Sequence, residues 1–261
     1  MVTIYNLFAI FRKEFLSYFS SPFSYVVAAI FWLMSGVFFS LILSQILENI
    51  EFARQAGFAD PIDVPGDFLA SYLSLLISLI LVLLPALSMG LYAEERKRGT
   101  LELLATSPVT NWVVAVGKLL GALVFFSVLL IPLWIYQAIV FSAATPALPI
   151  NVILLANFAV LLVAAAVLSL GMFISSLTAN VIISYILTFT LVLTLWILDV
   201  FAQNLGGAIA SIFSYLSLFQ NYQDLIEGLL SSKSLVLFAS YIFLGIFLTA
   251  QSIEALRFQR S

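Results

Sequence analysis

Apolar side chains recur three and four residues apart near the start of the chain, at Ile4, Leu7, Phe8, Phe11, Phe15 and Phe19, with Asn6, Lys13, Ser17 and Ser20 mostly elsewhere on the helical wheel. That spacing predicts an amphipathic helix over 1–21, lying in a membrane interface. Ser20-Ser21-Pro22 breaks it. From there the periodicity disappears, because polar positions almost vanish. Apolar runs cover about 23–47, 68–93, 112–142, 150–176, 180–199 and 235–253. Each reaches the ~20 residues that a helix needs to cross a bilayer. Several exceed it, which calls for tilt or for extension beyond the lipid. Pro85 and Pro132 are expected to kink the second and third spans.

The segment from Phe201 to Ser232 is apolar only in pieces and is interrupted by Gly206-Gly207 and by Asn221-Tyr222-Gln223-Asp224. It is too short for two crossing helices. It reads as a pair of short outer-leaflet or re-entrant helices, which must be buried against protein to satisfy their backbone. The predicted fold is an all-α integral membrane protein forming one transmembrane domain over 1–261.

Composition agrees. Of 261 residues, 63% are hydrophobic and 9% charged, where soluble domains carry roughly 25% charged residues. Mean hydropathy is +1.17. The bases orient the spans. With the N-terminus in the cytoplasm, Arg12, Lys13, Arg96, Lys97, Arg98, Lys118, Arg257 and Arg260 fall inside, and only Arg54 and Lys233 outside. The expectation is N-in and C-in, which requires an even number of spans.

The chain has no cysteine and no histidine. Disulfides, thiol chemistry, most zinc sites and every hydrolytic scheme with an imidazole base are thereby excluded. No glycine-rich phosphate loop is present, so chemistry that needs ATP must come from another chain. An intramembrane aspartyl dyad would need two midplane aspartates. Ion-coupled transporters place ionisable groups mid-membrane, but here Lys118 lies near the inner end of span three, where it is expected to snorkel, and Asp199 lies at the outer end of span five. The mild polar groups Ser74, Ser78, Gln137, Asn157, Tyr185, Thr188 and Thr194 either hydrogen-bond between helices or line a path; Tyr185 and Thr188 are the pathway candidates. Gly117 and Gly121 form a small-xxx-small pair suited to close helix packing.

One inner loop, 94–108, concentrates charge. Arg96, Lys97 and Arg98 complement the dipole at the end of a helix continuing from span two, and Gly99 follows as a C-cap. Thr100 is placed to cap a new short helix in which Leu101 and Leu104 share a face, and Ser107-Pro108 ends it. The order Glu94-Glu95, Arg96-Lys97-Arg98, Gly99-Thr100, Leu101, Glu102-Leu103-Leu104, Pro108 and Gly117-Lys118 resembles the first cytoplasmic coupling region of the ABC-2 family of ABC transporter permeases. The order of elements along the chain is similar too: interfacial elbow helix, six spans and a broken apolar segment before the last. The run from Arg12 to Phe39 looks like the gliding-motility-associated branch.

The resemblance implies a permease subunit of an ATP-driven exporter in a bacterial inner membrane. A separate P-loop ATPase would bind ATP and magnesium, with no cofactor in this chain. A second permease chain, identical or homologous, would complete the pore among membrane lipids, with a periplasmic accessory protein as a further partner and no nucleic acid. It also implies that Glu94, Glu95, Gly99, Thr100, Leu101, Glu102, Leu104 and Pro108 form the coupling surface, the acids pairing with bases on the ATPase and the leucines filling its groove. The joint at Ser175, Ser176, Thr178 and Asn180 would be a second inner contact. The alternatives are a passive pore and a non-transporting anchor of a motility or envelope complex.

Overall fold

The computed structural model describes residues 2–55, 64–101, 109–144, 147–204 and 206–258. Every element among them is a helix: α1 Val2–Ser20, α2 Pro22–Gln55, α3 Val64–Ser88, α4 Gly90–Lys97, α5 Asn111–Leu129, α6 Ile131–Ala143, α7 Ile150–Leu177, α8 Val181–Asn204, α9 Gly207–Leu216, α10 Leu218–Ile226 and α11 Ser232–Phe258. Six helical stretches are long and apolar enough to cross a membrane: α2, α3 with α4, α5, α7, α8 and α11 up to Ala255. The chain is a multi-pass membrane protein. Pro22 opens α2 immediately after the interruption at Ser21, as expected of a residue that suits the first turn of a helix and cannot continue the previous one.

The centre of the bundle is made by α3, α5 and α7, which bury more than half of their most apolar stretch, whereas α2 and α8 leave most of theirs exposed. Alanine and small side chains on α7 (Ala156, Ala159, Ala164, Ala166, Ser169) are fully buried, which lets α3, α5 and α11 pack against it closely. Exposed apolar side chains on α2 and α8, such as Leu33, Leu41, Ile182 and Ile186, cost little in a lipid solvent.

Both expected kinks lie near interruptions of the helical hydrogen-bond ladder, where the backbone of Met89 and Leu130 itself stays in the right-handed helical region. Span three divides at Leu130 into α5 and α6, just ahead of Pro132. The indole of Trp32 donates to the Leu129 carbonyl at 3.0 Å, satisfying a backbone acceptor at the break. Span two divides at Met89, four residues past Pro85. The cause is a side chain inserted into the backbone ladder. The Ser175 hydroxyl accepts from the amides of Tyr92 and Ala93, both at 3.0 Å, and donates to the Met89 carbonyl at 2.7 Å.

The pair of short helices before the last span is present as α9 and α10. Leu218, Asn221, Tyr222, Leu225 and Ile226 bury one side of α10, but α9 has no buried residue. The expectation that both are buried therefore holds for α10 only. A helix meets most of its own backbone hydrogen bonds, so α9 needs no protein cover on all sides.

Candidate functional site

The charged end of the bundle is built by α1, α4, the start of α5 and the end of α7. Helix α1 divides its apolar residues between the protein and its surroundings. Leu7, Phe11 and Phe15 are partly buried, but Ile4 and Phe8 are exposed, and the inward face also carries Ile10, Glu14 and Tyr18. The reason lies in α5. A Cβ at Gly117 would stand 2.8 Å from Ile10 Cγ2, and one at Gly121 would stand 2.7 Å from Glu14 Cβ. The glycine pair is the seat of α1 within the chain. Higher on the same seam, Tyr18 stacks on Phe125 at 4.6 Å, and its hydroxyl donates to the Leu87 carbonyl at 2.9 Å.

Glu14 is thereby carried into the protein, where it meets Lys118. The Lys118 side chain is 1% exposed. It does not snorkel. An ammonium has three donors, and three oxygens surround this one: Leu91 O at 2.7 Å, Glu14 Oε1 at 2.9 Å and Glu95 Oε1 at 3.0 Å. It also lies 4.8 Å from the centre of the Tyr92 ring, a favourable cation–π placement. Lys13 closes the cluster from its outer side, 3.0 Å from Glu95 and 3.3 Å from Glu14. Burial opposes the Lys13 ammonium, but the charges of Glu95 and Glu14 outweigh it and its pKa is raised. Two acids and two bases sum to zero charge. They join α1, α4 and α5 at one point.

This arrangement sorts the candidate residues. Glu95 faces inward on the cluster, while Glu94 is exposed and pairs with Arg98 at 3.3 Å on the helix surface. Gly99 has φ +71°, the left-handed conformation of a helix-ending glycine; the Arg98 amide reaches back to the Glu94 carbonyl at 2.9 Å and the Gly99 amide to Arg96 at 3.2 Å. Thr100 is exposed, its hydroxyl donating to the Glu95 carbonyl at 3.3 Å. Leu101 is 3% exposed and belongs to the core, so it anchors the segment from within. Glu102, Leu104 and Pro108 lie outside the described residues.

At the joint between α7 and α8, Ser175 and Ser176 are buried and tied to α4, Ser175 through the wedge at Met89 and Ser176 through its carbonyl, which accepts from Arg96 Nη1 at 2.7 Å. Thr178 and Asn180 lie on the outside of the joint. Asn180 caps α8, its side-chain oxygen accepting from the amides of Ile182 and Ile183 at 3.0 and 3.3 Å.

Among the intramembrane polar groups, Asn157 bridges Gln137 at 2.8 Å and Trp134 at 3.0 Å, and Ser74 meets Gln223. These are interhelical hydrogen bonds. Thr188 and Ser184 on α8 are fully buried, and their hydroxyls lack a partner. Tyr185, between them on the next face, lines an apolar cleft of about 380 Å³ with Phe23, Ile30, Val82 and Met89.

The model of the ABC-2 type transporter family matches residues 5–220. The chain belongs to the ABC-2 type transporter family. This ABC-2 protein is a transporter permease component, and the match runs from α1 through the cluster to α10. No curated protein matches its sequence. Glu14 was passed over in the sequence because one acid on an amphipathic helix looks like part of a solvated face. A signal existed in the preceding residue, Lys13, and in the Gly-x-x-x-Gly seat on α5 that brackets Lys118.

Proposed function

We propose that this permease is the membrane-spanning subunit of an ATP-driven exporter, driven by a separate P-loop ATPase that docks at the α4 end. The observation that carries this is the four-residue ion cluster. A push on α4 or on the loop after it is delivered to α1 and α5 together, because Glu95 is paired with cations from both. The Ser175 wedge passes the same displacement to α7. No ionisable group stands in the middle of the six spans to bind a coupling ion, so the work enters from outside the bilayer. The charge distribution favours placing α4 on the cytoplasmic side, and the family resemblance favours a bacterial inner membrane. Glu94, Gly99 and Thr100 are the exposed part of the docking surface, extended by Glu102, Leu104 and Pro108; Glu95 and Leu101 hold it to the bundle from beneath. Thr178 and Asn180 offer the second contact. A second permease chain completes the pore, magnesium and ATP reside in the ATPase, and the run from Arg12 to Phe39 favours the gliding-motility-associated branch.

The test is purification from native membrane under mild conditions. A P-loop ATPase is expected to copurify, and Glu94→Arg or Leu104→Asp is expected to release it or to abolish permease-dependent ATP hydrolysis while the chain stays in the membrane. Full coupling in both variants would overturn the docking surface, and absence of any ATPase would overturn the exporter.

A further inference from the structure

At the end of the bundle opposite the charged cluster, a cavity of about 410 Å³ opens between the last turns of α8 and the α9–α10 pair. Its wall is polar for a protein this apolar: Asp199, Gln203, Ser214, Gln220 and Gln223, with the ring of Phe219. The volume falls within the range of small-ligand pockets, roughly 300–1,000 Å³, and far exceeds the ~30 Å³ share of one water.

The charge in this wall is uncompensated. Asp199 Oδ2 accepts from Gln203 Nε2 at 3.2 Å, whereas Oδ1 is shielded from solvent and has no hydrogen-bond partner. No lysine or arginine lines the cavity, and Lys233 is turned instead over the Tyr215 ring at 5.6 Å. Asp199 itself is half-buried, so its carboxylate keeps its charge at the cavity wall, and the two-fold, broad torsion of an Asp carboxyl lets either oxygen turn toward the cavity. The amides are less needy. Gln220 accepts from Ser214, and Gln223 exchanges hydrogen bonds with Ser74 at 3.4 and 3.2 Å. What the wall lacks is a cationic hydrogen-bond donor. An alkylammonium supplies charge and donors to Asp199, and its face suits the Phe219 ring, which Trp196 holds edge-on at 4.9 Å.

We infer that this cavity is a binding site for a protonated amine on a small polar body, free in solution or carried as the headgroup of an aminolipid. It shares no residue with the ATPase docking surface and stands or falls separately from it.

The full chain, reconstituted in phosphatidylglycerol nanodiscs, is titrated with ethanolamine and with glucosamine by calorimetry, with glucose as the neutral control. A parallel series replaces part of the lipid with phosphatidylethanolamine and follows retained lipid by native mass spectrometry. Saturable binding of the free amines is expected, or selective retention of phosphatidylethanolamine if the source is lipid, weakened at least tenfold by Asp199→Asn and severalfold by Phe219→Leu. The two variants guard against a folding artefact, since each is read only where its melting temperature matches the parent's. Binding of neither amine nor aminolipid overturns the inference. So does equal binding of glucose, or undiminished binding by a folded Asp199→Asn.

Discussion

Lys118 lies only two turns into α5, close enough to its start that the sequence allows its ammonium to reach the interface. The structure instead surrounds that ammonium with three oxygens and leaves it 1% exposed. Such a cluster is costly to disturb by halves. Lys118→Met would strand Glu14 and Glu95 around an apolar side chain, and losing one partner of a buried pair destabilises by about 3–5 kcal/mol. Adding Glu14→Leu and Glu95→Leu removes the stranded charges; Lys13, whose side chain is 61% exposed, simply turns to water. The expected outcome is a large drop in the melting temperature of the purified single variant and recovery of most of it in the triple variant. Equal stability of single variant and parent would show that the cluster does not hold α1. None of this was legible in the residues one at a time, because Glu14 and Lys118 are 104 positions apart and Lys13 and Glu95 are 82 apart.

The elements themselves were largely legible. Ser21-Pro22, Pro85, Pro132, Gly99 and Gly206-Gly207 are local punctuation, and breaks or ends fall at or near each of them. Where a break falls exactly was not legible in the case of span two. Pro85 weakens the ladder, but α3 continues past it and stops where Ser175 from α7 takes over the amides of Tyr92 and Ala93. Ser175→Ala would leave two amides and the Met89 carbonyl without that hydroxyl, at a cost of about 1–3 kcal/mol for each group left unsatisfied. Relaxation of α4 into a continuous helix with α3 would offset part of it. The expected result is faster amide hydrogen exchange across Leu91–Glu95 with unchanged exchange in α11. Uniform exchange in parent and variant would show that the wedge is not what holds the break. Which side of α1 turns inward was not written in its own spacing. Its apolar positions satisfy two surfaces, lipid and α5, and only the Gly117–Gly121 seat selects which side turns inward.

For the whole molecule, direction across the bilayer decides which end of the bundle meets ATP. The proposed function requires α1 and α4 on the cytoplasmic side, as the distribution of bases favours, and the absence of cysteine gives a clean background for labelling. Leu229, 60% exposed beyond α10, and Thr3, exposed at the start of α1, lie at opposite ends. In intact cells a membrane-impermeant maleimide is expected to label Leu229→Cys and to reach Thr3→Cys only after permeabilisation. The reverse pattern would invert the orientation and move the docking surface to the wrong side of the membrane for ATP.

The sequence by itself determined that this chain carries six runs long and apolar enough to cross a membrane, and which family it resembles. Both are local properties: a lipid solvent forces each span to satisfy its own backbone within one run of about 20 apolar residues, and the loop pattern is written in consecutive positions. The tertiary structure alone decided that Glu95 and Leu101 face inward, that Ser175 splits span two, and that Asp199 looks into a polar cavity. Each of these depends on which helices become neighbours. In an all-apolar bundle that choice is made by small residues and by a few buried polar groups seeking partners far away in the chain, and a hydrophobic pattern that is uniform around the helix carries no record of it.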